Sequence, residues 1–205
     1  MRTIIFLFLS MLVLNAPAQD LKSGGPLKPE QAIMDIRHYT IALNVDPVQQ
    51  SIDGYTEISL NLSKPAGTLL FDFWHGLKIQ GVTVNNKAAS YTHTDDDLVR
   101  IAPAQELPAG KVLVKIAYGG KPAISSRPPW VGGFQWDKDS KGNPWIAITC
   151  QGEGGKIYFP CKDHPSDEPN EGADMIITVP KGLVVAAPGM LQKVTDKKDR
   201  STYHY

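Results

Sequence analysis

The chain has 205 residues, enough for one large domain or two small ones. Its 42% apolar and 20% charged composition excludes a disordered chain and a bundle of membrane spans. Twenty-one Lys and Arg balance 21 Asp and Glu, so the long-range positive field that draws in nucleic acid is absent and nucleic acid is not an expected partner.

The first segment to place is not part of the fold. Arg2 leads into the apolar run Ile4 to Leu14 and then into Ala16-Pro17-Ala18, a small-x-small pattern that reads as a cleaved secretory signal peptide over residues 1–18. Eleven apolar residues span about 16 Å as helix, far short of the ~30 Å of a hydrocarbon core, so no membrane span is expected after cleavage. Gln19 to about Ile33 is polar and rich in Gly and Pro and reads as a flexible leader, with a short helical turn around Glu30 to Met34. Export is then expected, to the periplasm or the medium.

Eighteen Gly and 16 Pro favour turns over long helices, and the elements that follow read as strands. Tyr39 to Val45 and Tyr55 to Leu62 alternate large and polar residues, the pattern of a strand with one buried face. Leu69 to Phe73, Leu77 to Val84, Ala88 to Thr94 and Leu98 to Ile101 are short β-rich runs separated by the turn signals Asn85-Asn86 and Asp95-Asp96-Asp97. Lys111 to Tyr118 alternates most cleanly. Trp145 to Thr149, Asp174 to Val179 and Leu183 to Ala187 complete the set, the last two separated by Pro180-Lys181-Gly182. The fold class is therefore all-β, a sandwich or twisted sheet occupying residues 34–205. Ser201 to Tyr205 has the composition of a strand that has just begun, and is expected to end a truncated domain with an unpaired edge.

Catalytic motifs are absent. The histidines are His38, His75, His93, His164 and His204, with no His-Glu-x-x-His among them, so no zinc site is readable and the chain alone is expected to be inactive. The dense region is Trp130 to Gly172. Trp130, Trp136 and Trp145 could form an aromatic binding wall or pack as core. Gln151 and Glu153 stand among Gly152, Gly154 and Gly155, where backbone can approach a ligand closely. Asp163, Asp167, Glu168, Glu171 and Asp174 read as a solvated acidic loop in preference to a calcium site, and His164 as a structural hydrogen bonder. In an oxidising compartment, Cys150 and Cys161 are candidates for a disulfide, with two buried thiols as the alternative.

The run Thr149-Cys150-Gln151-Gly152-Glu153-Gly154-Gly155, then Ile157-Tyr158-Phe159, then Pro160-Cys161-Lys162-Asp163-His164-Pro165, resembles the substrate-recognition strand of the aminopeptidase N family of zinc metallopeptidases. Met34 to Tyr39 with Leu43 to Asp46 resembles that family's opening strand, and Ile177 to Val184 its following hairpin. The resemblance implies a saddle-shaped, all-β N-terminal domain that closes one side of an active-site cleft. It places Gln151 where the family binds the peptide's α-amino group, a role an amide oxygen can fill by accepting from an ammonium; the family pattern gives Glu153 no fixed role, and it stands as a second substrate contact only by its place among the glycines. It implies a peptide substrate, and a catalytic domain, with its zinc, that this sequence does not contain. No cofactor is expected within the chain itself. The alternative is a stand-alone secreted β-sandwich module that binds carbohydrate or peptide without catalysis; a non-catalytic scaffold is a third reading.

Overall fold

The computed structural model describes residues 22–205; the proposed signal peptide and the start of the leader lie outside the described residues. In chain order the elements are α1 (Pro29–Ala32), β1 (Met34–Asp46), β2 (Ser51–Leu62), β3 (Leu69–Asp72), β4 (Lys78–Val84), β5 (Lys87–Ala88), β6 (Ser90–Thr94) and β7 (Leu98–Ala102). There follow β8 (Gly110–Gly120), β9 (Gly133–Lys138), β10 (Pro144–Thr149), a 3-10 turn (Gly155–Ile157), β11 (Ala173–Pro180), β12 (Lys193–Asp196) and β13 (Arg200–His204). The all-β expectation holds. No helix among the described residues is long and apolar enough to cross a membrane.

Eight strands form one mixed sheet in the order β12-β13-β11-β1-β2-β8-β4-β5, a second sheet runs β3-β7-β6, and β9 and β10 form a separate hairpin. Alternation explains the large sheet. In β2 the residues Thr56, Ile58, Leu60 and Leu62 are buried, and in β8 Val112, Val114, Ile116 and Tyr118, because side chains at successive positions of a strand point to opposite faces. These rows join the buried faces of β3 and β7, Leu69 and Phe71 with Val99 and Ile101, in a single apolar cluster. A buried polar pair between β2 and β8 satisfies itself, Thr56 Oγ1 lying 3.1 Å from Tyr118 Oη. Between β4 and β5, Asn85 and Asn86 both take positive φ, the conformation of a two-residue hairpin turn.

Three expectations need correction. The leader is not a detached segment from Lys22 onward: Lys22 and Ser23 donate backbone N–H groups to Gly152 O at 2.9 and 3.1 Å, and Gln31 on α1 is buried. Leu183 to Ala187 joins no sheet. β11 already spends both edges, pairing parallel with β1 and antiparallel with β13, so a hairpin after Gly182 has no edge to return to. The same pairing overturns the unpaired C-terminal edge, since β13 lies between β11 and β12, and Tyr205 exchanges backbone bonds with Met175 at 2.9 and 3.0 Å.

Candidate functional site

The hairpin β9–β10 is held over the large sheet by its inner face. Phe134 is buried, Trp136 stacks on it with ring centroids 5.5 Å apart, and both join the core cluster with Ile146. Gly133 opens β9 at φ +141, where a Cβ would lie 2.5 Å from Ser125 N, so only glycine lets the two backbones meet there. The register pairs Trp145 with Asp137 and Ile146 with Trp136, which puts Trp136 and Trp145 on opposite faces of the hairpin. An aromatic wall is therefore not formed. Trp136 packs, while Trp145 and Trp130 are 63% and 60% exposed.

β10 leads straight into the turn Gln151–Glu153. Gly154 N–H closes it on Cys150 O at 3.0 Å, and Gly152 O receives the two leader N–H groups. Glu153 is not available in the way Gln151 is: its Oε2 accepts Gly132 N–H at 2.6 Å and ties the turn to the start of β9. The Gln151 side chain is exposed, at the rim of the hairpin. Thr149, two residues earlier, receives a 3.4 Å hydrogen bond from Gln135 Nε2.

The segment after the turn is an internal frame. Lys156 is buried, donates to Lys22 O, and lies 3.5 Å from Asp163 Oδ2, while Ser23 Oγ donates to Asp163 Oδ1 at 2.8 Å. Asp163 N–H in turn donates to Asp72 Oδ2 at 3.0 Å, and that carboxylate is buried against Gln31 and Lys28. Lys162 Nζ donates to Asp167 Oδ2 at 2.8 Å and Met34 O at 2.7 Å, and its backbone N–H to Tyr39 Oη at 3.1 Å. The acidic run is thus divided: Asp163 and Asp167 are drawn into the frame, Glu168 stays exposed as a solvated loop residue, Glu171 bonds Arg37 at the surface, and Asp174 pairs with His204 and His38. His164 Nδ1 accepts Ser166 N–H at 3.1 Å, the structural role read for it. Asp72 and Gln31 carry no sequence signal of this role, because their partners lie tens of residues away, and the same holds for the bond from Lys156 to Lys22.

Both cysteines are free thiols in the structure. Cys161 is buried and bridged to Asp72 through backbone bonds of 2.7 and 3.0 Å, whereas Cys150 is exposed at the end of β10. Burial pushes the Cys161 thiol well above its ordinary range, while Cys150, open to solvent on one side, is raised by the partial desolvation of its other side and by the nearby Asp163 and Glu153 charges. Among the described residues, no three His, Cys, Asp or Glu side chains converge as a metal site.

Beside the hairpin lies a groove of about 540 Å³. Its floor includes Leu43, Ile177 and Val179, one wall is β10 from Pro144 to Ile148, the other is Leu183 to Pro188, and Cys150 and Tyr158 border it. Sequence reading missed this feature, since it exists only where Leu183 to Ala187 fails to pair.

No protein-family model and no curated protein matches the sequence. Solved structures do match. An M1 zinc metallopeptidase from Deinococcus radiodurans, bound to a Tyr-Ser-Ala substrate, aligns at TM-score 0.68 and 21% identity over 85% of this chain and 39% of its own. A two-domain M1 zinc metallopeptidase bound to L-arginine aligns at TM-score 0.70 and 22% identity, over 90% of this chain and 41% of its own. Yeast LTA4 hydrolase in complex with bestatin aligns at TM-score 0.61 and 16% identity, over 93% and 29%. The chain therefore spans about two fifths or less of these proteins' lengths, and has the fold found in their N-terminal part.

Proposed function

We propose that the chain serves as the substrate-recognition domain of an exported zinc aminopeptidase, with Gln151 receiving the α-amino group of a peptide. The observation that carries this reading is the fold match to M1 zinc metallopeptidases over 84–90% of the chain. It is supported by the exposed Gln151 amide at the end of β10. The Gln151 oxygen can accept from an ammonium, while Glu153, engaged with Gly132, orients the turn. Zinc and the water it activates belong to a catalytic domain outside these 205 residues. The exposed Trp130 and Trp145 leave room for the second reading, a binding module without catalysis.

Two measurements test the proposal. Coding sequence beyond Tyr205 should contain His-Glu-x-x-His with a further Glu downstream; a stop codon there removes the peptidase reading. In the 205-residue chain, nuclear magnetic resonance should show the Gln151 side-chain amide shifting with a free-amine tripeptide and not with its N-acetyl form. Equal response to both forms would remove the amine role.

A further inference from the structure

The β9–β10 ladder has a free side, and its polarity can be read from the bonds around it. Asp139 N–H donates to Asn143 O at 2.8 Å, so hydrogen-bonded pairs recur at Asp137–Trp145, Gln135–Ala147 and Gly133–Thr149 in the register of the hairpin. The alternate residues turn their backbone groups outward. On β9 this is seen directly: Phe134 N–H donates to Ala123 O at 2.7 Å, and its carbonyl accepts Ser125 N–H at 3.0 Å, both away from β10. Ile148, opposite Phe134, and Ile146, opposite Trp136, must point theirs away from β9. Among the described residues nothing pairs with those four groups.

They line the groove, since Ile146 and Ile148 both belong to its wall. The opposite wall is also strand-like without being paired. Tyr203 Oη donates to Leu183 O at 3.1 Å and Tyr205 Oη to Val185 O at 2.6 Å. Partners two apart on both segments, with burial alternating from Leu183 to Ala187, describe an extended run. Val184 and Ala186 make no backbone bond among the described residues.

We propose that the groove between β10 and Leu183–Ala187 is a slot that takes an extended, mainly apolar peptide, paired antiparallel to β10 at Ile146 and Ile148. The occupant has to bring backbone donors and acceptors for four edge groups and apolar side chains for a floor of Leu43, Ile177 and Val179. Only an extended polypeptide supplies both at a two-residue period. A lipid or aromatic ligand fills the floor but leaves the edge groups unpaired, the costlier state. The antiparallel arrangement is chosen because it is the slightly more stable pairing per residue, with residues opposite Ile146 and Ile148 exchanging both bonds with them. β10 runs toward Gln151, so the peptide's amino end lies at that turn. Only this assignment of the amino end to a recognised amine rests on the proposed function; the slot does not.

The probe is an N-acetylated peptide, Leu-Val-Thr-Val-Leu-Lys, carrying fluorescein on the lysine and titrated against the 205-residue chain by anisotropy. Two further versions carry backbone N-methyl groups at residues two and four, or at residues three and five. At least one of these should bind about tenfold or more weakly, because methylation removes the donors facing β10. Ile148→Pro should reproduce the loss, since that N–H does not serve the β9 ladder and the fold can be checked by circular dichroism. Binding that ignores both methylation patterns, or no binding at about millimolar chain, overturns the slot. Equal binding of acetylated and free-amine peptides overturns the Gln151 reading alone.

Discussion

Lys162 tests whether the segment after the recognition turn is a structural frame. Its Nζ is 2.8 Å from Asp167 Oδ2 and 2.7 Å from Met34 O, and the two side chains are only 5% and 8% exposed. The same Asp167 oxygen accepts Ile36 N–H at 3.1 Å. Lys162→Met keeps the apolar stem, so little of its effect comes from a cavity. It leaves a buried carboxylate with one backbone donor and strips Met34 O of its partner. Breaking a buried pair in this way costs about 3–5 kcal/mol, against about 0–1 kcal/mol for an exposed pair. With a urea m-value of about 2 kcal/mol/M, the midpoint should fall by roughly 1.5–2.5 M. Lys162→Met with Asp167→Leu removes both charges and should be less damaging than Lys162→Met alone, because no ion is left stranded. A single substitution costing under about 1 kcal/mol, or a double variant whose losses simply add, would refute the reasoning.

The remaining expectations are quicker to state. Glu153→Ala should lower stability by about 1–3 kcal/mol, because the buried Gly132 N–H loses its acceptor, whereas Gln151→Ala should stay within about 0.5 kcal/mol; thermal melts of the two variants check this. Under native conditions a thiol reagent should modify Cys150 and spare Cys161 until the chain unfolds, and two equally fast thiols would contradict the burial described. Burial raises the phenols of Tyr39, Tyr118 and Tyr158 above their ordinary range, so folding favours their neutral forms. The stability this gives is complete below an unfolded pKa of about 10 and is lost as pH rises beyond it. A spectrophotometric titration should therefore show three of the seven tyrosines ionising only with alkaline unfolding; seven ionising together in the folded chain would be the contrary result.

Strands with one buried face were legible because alternation is a local property. Tyr55 to Leu62 and Lys111 to Tyr118 need no knowledge of their partners to be read, and β2 and β8 bury the faces their sequences mark. Pairing is not local. Leu183 to Ala187 has the same β-rich composition as β3, yet β11 was already committed to β13 and to β1, whose residues lie far away in sequence. The tryptophans failed as a wall for a related reason, since the register of one hairpin decides which of Trp136 and Trp145 faces the core. The cysteine spacing permitted a bridge but carried no information on burial, which separates Cys161 from Cys150.

The candidate site divides between a locked part and an open part, and the charges show where the boundary runs. Lys156 with Asp163, Lys162 with Asp167, and Arg37 with Glu171 pair within or beside the frame, with the buried Asp163 Oδ2 held near a charge but accepting no hydrogen bond, while Lys28 and Gln31 neutralise and bind Asp72 beneath it. These bonds reach from the leader through β1 and β3 to the Pro160 to Asp167 run, so a disturbance anywhere among them is felt at the base of the turn. What remains on the open side is a neutral amide at Gln151 and a groove floored by aliphatic side chains. Binding there gains little from long-range charge attraction, and counter-ion screening weakens only interactions between charges. Peptide affinity for this face should accordingly change less than about twofold between low salt and physiological salt. A steep fall over that range would place recognition on the charged frame and not on Gln151 and the slot.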